Sequence, residues 1–231
     1  MHKLLVFDLD GTLAARGKGM LPEDVELLKK LEKRGCVIAV CSGKPSFYTC
    51  GFMRQIGLNK PVLIGENGAT VQFGVELPPK QYYVYPYSSK AKQQIKRMRE
   101  LIDEICGDDV WYQPNEVELT PFMDKREVFD KVQKLIDDNK DNLSEVLVYR
   151  HEDCYDFIPE NINKANGIAF LVKLLGFEQR DVIAFGDGIN DIPMFEYADI
   201  SISIGNAIDY KTDYACETIN EALNLCFKQI L

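Results

Sequence analysis

KLLVFDLDGTL (residues 3–13) runs four apolar residues, Leu4 to Phe7, straight into Asp8 and Asp10, with Gly11 and Thr12 behind them. A continuous apolar run of this length, closed by turn residues, predicts a strand covered on both faces, as in a parallel sheet. In open α/β sheets, ligands gather beyond the carboxyl ends of the strands. Two carboxylates, one residue apart, are therefore delivered to that rim.

Similar runs recur along the chain at Cys36–Cys41 (CVIAVC), Val62–Ile64 and Val182–Phe185, with an alternating one at Ile200–Ile204 (ISISI). Helical patterns lie between them. Pro22, Glu23 and Asp24 open one; Val25, Leu28 and Leu31 give it an apolar face, and Gly35 closes it. Ile168, Leu171, Val172 and Leu175 form a second, stopped by Gly176. Thr218 and Glu221 make a capping-box pattern before a third. Strand alternating with helix predicts an α/β fold with a doubly wound, Rossmann-like parallel sheet.

The middle of the chain breaks this rhythm. Leu77-Pro78-Pro79-Lys80 reads as an exit and Ile158-Pro159-Glu160-Asn161 as a return. Between them stand the aromatic-rich stretches YYVY (82–85), VWYQ (110–113), EVLVYR (145–150) and CYDFI (154–158), separated by charged helical segments near 90–105 and 125–140. The expectation is a core formed by 1–80 and 160–231, with an α+β cap domain inserted at 81–159.

The 231 residues are 46% hydrophobic, enough for a sizeable core, and carry a net charge of -9. That charge argues against a nucleic-acid surface, whose phosphates it would repel. The seven cysteines include no C-x-x-C pair, and His2 and His151 are the only histidines. Small core hydrophobes in a reducing cytosol are expected, with no histidine-rich zinc site. The apolar start is broken by Asp8, unlike a signal peptide, and no run is long enough for a membrane span. A soluble, cytoplasmic protein is expected; the oligomeric state is not legible.

The rim collects the chemistry. Ser42, Gly43 and Lys44 follow the second strand, Glu66, Asn67 and Gly68 the third, and GDGIND (186–191) supplies Asp187, Asn190 and Asp191 after the fourth. Each motif alone has a plainer reading. D-x-D-G is a common turn, and the last position of GDGIND is Asp191, whose charge would oppose a pyrophosphate. There is no P-loop and no nucleophile elbow around Ser42. Together, however, four acids at one rim would raise one another's pKa unless a cation neutralised them. All-oxygen ligands point to Mg²⁺, which leaves room for a substrate phosphate. Ser42 and the amides around Gly11, Thr12 and Gly43 suit a phosphoryl group. Lys164, in NINKANGI where the chain re-enters the core, is the cation expected opposite it; a solvated lysine is its plainer reading.

DLDGT (8–12), Ser42, Lys164 and GDGIND, in that order, resemble the four motifs of the haloacid dehalogenase superfamily. The insert between the second and third motifs, with ENGA at 66–69, resembles the Cof-like, type IIB capped phosphatases. SGK stands where TGR is common, and Ala165 follows Lys164 where glycine is usual. The resemblance implies a Mg²⁺-dependent phosphatase working through an aspartyl-phosphate on a small phosphorylated metabolite, such as a sugar phosphate or phosphoglycolate. It implies Asp8 as nucleophile and Asp10 as general acid and base. The metal would be held by the Asp8 carboxylate, the Asp10 main-chain carbonyl and Asp187, with Asp191 in support. Ser42 and Lys164 would bind phosphoryl oxygens, with Asn190 as a secondary contact. Asn67 and Arg150 are candidates for reading the rest of the substrate, a solvated surface being the alternative for Arg150. A phosphomutase of the same superfamily is the competing activity, and a non-catalytic binding module the competing class; no acid of the first or last motif is missing.

Overall fold

A computed structural model describes residues 3–205 and 209–230, so His2 lies outside the described residues. The chain forms two compact units, one running up to Tyr85 and resuming at Asn163, the other Pro86–Ile162. The first unit begins with β1 (Leu4–Phe7), α1 (Pro22–Lys33), β2 (Val37–Cys41), α2 (Ser46–Ile56), β3 (Val62–Gly65), β4 (Thr70–Phe73) and β5 (Gln81–Val84). The second contains α3 (Ser89–Cys106), β6 (Trp111–Tyr112), β7 (Pro121–Phe122), α4 (Arg126–Asp138), β8 (Val146–Arg150) and β9 (Tyr155–Pro159). The first unit then resumes with α5 (Lys164–Leu175), β10 (Val182–Gly186), α6 (Ile192–Tyr197), β11 (Ile200–Ile204), β12 (Tyr214–Cys216) and α7 (Ile219–Leu225).

The first unit is built on one eight-stranded sheet in the order β12-β11-β10-β1-β2-β3-β4-β5. From β12 to β3 the strands are parallel. The central run Leu4–Phe7 is continuous because both its faces are covered. Leu5 and Phe7 join Leu28, Leu31, Met53 and Leu223 on one side, while Leu4 and Val6 join Ile168, Leu171, Met194 and Phe195 on the other. Each such side chain, fully buried, contributes about 1.5–3 kcal/mol. Helix ends follow their local signals. Pro22, Glu23 and Asp24 open α1 and Lys30 and Lys33 close it. Asn163 caps α5 by accepting the Asn166 amide at 2.9 Å.

Two features differ from expectation. The sheet is mixed, since β4 runs antiparallel to β3 and β5 antiparallel to β4. The stretch YYVY, expected in the insert, mostly forms β5 and closes the edge of the core sheet, with Val84 opposite Thr70. Aromatic packing holds it there: Tyr83 meets Phe73 and Phe170 edge-on, each at 6.2 Å, and Tyr85 meets Phe170 at 5.7 Å. The chain leaves the core after Tyr85 rather than after residue 80, and returns at Asn163 rather than at residue 160.

In the second unit, β6–β7 and β8–β9 are antiparallel pairs, linked by the bridges Leu119–Phe157 and Phe122–Cys154. Ile95, Met98 and Ile102 of α3 and Val128, Phe129 and Val132 of α4 pack on Leu119, Val146, Tyr155 and Phe157. The alternate side chains, Thr120 and Asp156 among them, take no part in that cluster. Among the described residues, no helix is long and apolar enough to cross a membrane.

Candidate active site

The strand order β10-β1-β2-β3 explains why distant motifs meet. From β1 the chain steps one way to β2 and β3; on its return it steps the other way from β10 to β11. The loops after β1 and β10 therefore share a topological switch point. The Asp8 amide extends the ladder by donating to the Phe185 carbonyl at 2.9 Å.

Lys164, the first residue of α5, is 1% exposed. Its ammonium donates to Asp8 Oδ1 at 2.5 Å and to Asp191 Oδ1 at 2.6 Å. The other oxygen of Asp191 accepts the amides of Asp187 at 2.9 Å and Gly188 at 2.8 Å. Asp187 Oδ1 accepts the Thr12 hydroxyl at 2.6 Å. Gly11 makes this fit possible: it has φ +101°, and a Cβ there would lie 2.2 Å from Asp187 Oδ2. Helix α5 approaches the rim closely because Gly167 packs on Gly68, where an added Cβ would sit 2.5 Å from the Gly68 Cα.

Asp8, Asp187 and Asp191 each present a carboxylate oxygen within 4.8 Å of the others. Burial pushes the Asp8 carboxyl up to about 7; Asp191 and Asp187 add to this, and Lys164 opposes it. Burial also raises Asp187, with Asp191 adding and the Thr12 hydrogen bond opposing. For Lys164 burial disfavours the charge, but Asp191 and Asp8 outweigh it and hold the pKa above the usual lysine range. One ammonium thus faces three crowded carboxylates. A divalent cation taking hard oxygen ligands fits that imbalance. The Asp10 carboxylate is not part of the cluster; Asp10 is half-buried, and its backbone bridges to Ala14.

Ser42 is buried, with its amide on the Ile64 carbonyl at 2.9 Å and its hydroxyl accepting the Lys44 amide at 3.2 Å. The Asn67 amide donates to the Ser42 carbonyl at 3.0 Å, and the Glu66 amide to the Lys44 carbonyl at 3.1 Å. Glu66 and Asn67 both take left-handed φ, 51° and 50°. That conformation costs about 1–2 kcal/mol per residue, less for asparagine. It reverses the chain at the rim and sets the Asn67 amide group 3.2 Å from where a Gly43 Cβ would stand. Asn190 is exposed on the turn Ile189–Asp191.

Some expected residues have other duties here. The Gly11 amide, expected to meet phosphate, donates to the Ala14 carbonyl at 2.8 Å, and the Thr12 hydroxyl is spent on Asp187. Arg150, in the second unit, lies 4.8 Å over the Phe129 ring and donates to Gln133 at 3.4 Å, both on α4. Cys41 reads in the sequence as a small core residue closing a strand, and it is one. It is fully buried within electrostatic reach of Lys164, Asp8 and Asp191, and burial pushes its thiol up to about 12. It therefore stays protonated and adds no soft thiolate ligand. The second unit also holds a polar relay with no clear sequence signal: Gln113 to Asn115 at 2.8 Å, Asn115 to Thr120 at 3.0 Å, Thr120 to Asp156 at 2.7 Å, and His151 to Asp156 at 2.9 Å.

The family model of the haloacid dehalogenase-like hydrolases matches residues 5–147 and 79–222, and the chain belongs to that family. A phosphoglycolate phosphatase from Nitrosopumilus maritimus is 25% identical over 92% of this chain and 87% of its own. Among solved structures, TM0651 from Thermotoga maritima superposes with a TM-score of 0.77 at 21% identity, covering 97% of each chain. The subclass IIB sugar phosphatase BT4131 superposes with a TM-score of 0.69 at 20% identity, over 96% of this chain and 98% of that one.

Proposed function

We propose that this hydrolase is a Mg²⁺-dependent phosphatase that cleaves a small phosphorylated metabolite through an aspartyl-phosphate on Asp8. The observation that carries the reading is the buried Lys164 ammonium held between Asp8 and Asp191, with Asp187 alongside. The named relative acts on phosphoglycolate and a fold neighbour on sugar phosphates. Both support a compact monoester as substrate.

In the first half-reaction a carboxylate oxygen of Asp8 attacks phosphorus and the bond from phosphorus to the leaving oxygen breaks. Asp10 donates its proton to that oxygen. In the second, water attacks phosphorus and gives its proton to Asp10. The bond to Asp8 breaks, releasing inorganic phosphate and the free carboxylate. Lys164 has three N–H donors, and the two carboxylates use two. The third, with Ser42 and Asn190, is available to a phosphoryl oxygen, where a preorganised charge lowers the barrier. A divalent cation held by Asp8, Asp187 and Asp191, with the Asp10 carbonyl, would neutralise charge on the transferring group. None of the seven cysteines is joined in a disulfide, which supports a reducing, cytosolic setting.

The test is release of inorganic phosphate from p-nitrophenyl phosphate and 2-phosphoglycolate, with and without Mg²⁺. Activity that survives EDTA, or in an Asp8→Asn variant, would sink the scheme.

A further inference from the structure

The core sheet ends at β12, which pairs with β11 on one side; among the described residues, no strand flanks it on the other. The Cys216 carbonyl accepts the Gly205 amide at 2.8 Å. Main-chain groups alternate sides along a strand, so the N–H and C=O of Ala215 point away from β11. Tyr214 and Ala215 are exposed at this edge, and a groove runs between them and α7. Its apolar lining is Tyr214, Ala215, Cys216 and Leu225, and the helix adds Glu221 and Lys228 to it, one on either side of Leu225 along the chain.

Two features fit this face to itself. Glu221 and Lys228 lie roughly 10 Å apart along the helix axis, too far to pair with each other. Both are exposed, and neither joins an ion pair formed among the described residues. A second copy related by a two-fold axis between them meets each charge with its opposite, twice by symmetry. Placed beside Ala215, that axis also sets Ala215 opposite its own counterpart, where an antiparallel pair exchanges two N–H···O=C bonds. The same register would bring Asp213 near Glu217, but Asp213 is turned inward, accepting the amide and the hydroxyl of Ser201, each at 2.8 Å.

We propose that two copies of this chain associate through the β12–α7 face, with their α7 helices antiparallel, as an isologous dimer. An apolar lining accepts many partners; opposite charges at the two ends of the groove select a copy of the same face. None of the rim residues belongs to it, so the inference is independent of the phosphatase reading.

Sedimentation equilibrium of the full chain should show a mass that rises with concentration from 26.3 kDa towards twice that value. Lys228→Glu and Glu221→Lys should each weaken the dimer at least about tenfold, because like charges then meet twice across the axis. An equimolar mixture of the two variants should recover the wild-type dissociation constant within about threefold, since every charge again faces its opposite. Glu221 also accepts the Glu217 amide at 2.9 Å. Should Glu221→Lys fail to fold, Ala215→Pro takes its place: it removes the outward N–H at an edge that tolerates proline, and should weaken the dimer about tenfold. A wild-type mass of 26.3 kDa at every concentration would overturn the proposal. So would a dimer that Lys228→Glu leaves intact, or charge variants that fold yet stay apart when mixed.

Discussion

The two units handle polar side chains in opposite ways. In the first, the groups that matter are charged and locked: Lys164 and Asp191 are each 1% exposed, the lysine donating two hydrogen bonds and the aspartate accepting three. In the second, the relay Gln113–Asn115–Thr120–Asp156–His151 consists largely of neutral groups, and the His151 side chain at its end is 49% exposed. Strands of four or five residues, buried on both faces, position the first set. Strands of two residues and isolated bridges position much of the second. A low-dielectric site magnifies every charge placed in it, favourable or not. A partly hydrated relay holds its groups loosely and at modest cost. The first arrangement suits a fixed reaction, and the contrast can be broken one residue at a time.

The largest effect is expected at Asp8. If Asp8 is the proposed nucleophile, Asp8→Asn should lower kcat by at least about 10³-fold. The fold should survive, because an amide oxygen can still accept from Lys164. Removing a carboxylate already strained by burial should leave the Tm of the metal-free protein at pH 8 no lower than that of the wild type. Circular dichroism melts beside steady-state kinetics check both; a large drop in Tm would mean that Asp8 is needed for folding.

Lys164→Met comes next, and here stability should fall with activity. The substitution leaves Asp8 and Asp191 buried without their shared cation. Breaking a buried pair in this way costs about 3–5 kcal/mol. Denaturant unfolding should show a lower midpoint, partly restored by Mg²⁺, which would neutralise the same carboxylates. A variant as stable as the wild type would show that the clamp contributes little to the fold.

A pH series separates burial from binding. The Asp8 carboxyl rises from 3.8 to about 7 in the fold. A raised pKa means that the folded state holds its proton more tightly than the unfolded state. This group's contribution to stability is therefore complete below about pH 4 and is lost as pH climbs through about 7. Asp187 shifts in the same direction. Mg²⁺ requires the ionised carboxylate, so its stabilising effect should grow across the same window. The increase in Tm on adding Mg²⁺ should be larger at pH 8 than at pH 5, and Asp8→Asn should flatten the trend. An increase independent of pH would place the ion away from Asp8.

The same contrast explains what could be read in advance. Asp8, Ser42, Lys164, Asp187 and Asp191 were legible because each closes an apolar run or opens a helix, a local pattern that a switch-point topology converts into proximity. The role of Tyr83 was not legible. YYVY fits an edge strand in either unit, and its place in the core sheet depends on Phe170, far along the chain. The antiparallel turn into β4 rests on left-handed φ at Glu66 and Asn67, and only the asparagine hints at it. The partners of the Gly11 amide and of Arg150, the Ala14 carbonyl and the α4 side chains Phe129 and Gln133, were not legible for a related reason: a residue type states what it can bind, not what its neighbours have already bound.

The smallest effect is expected in the relay. Thr120 is buried, donates to Asp156 and accepts from Asn115. Thr120→Val keeps the shape but removes the hydroxyl, leaving a donor and an acceptor without it. A buried polar group so deprived costs about 1–3 kcal/mol. Asp156 keeps His151, and Asn115 keeps its carbonyl bond to Gln113, so the low end of that range applies. Thr120→Ser, which retains the hydroxyl, should recover most of the loss. The decisive comparison is with Lys164→Met under the same denaturant. If Thr120→Val proves the more damaging of the two, the locked-charge picture of the first unit is wrong, because a neutral relay would then be holding more of the structure than a buried ion pair.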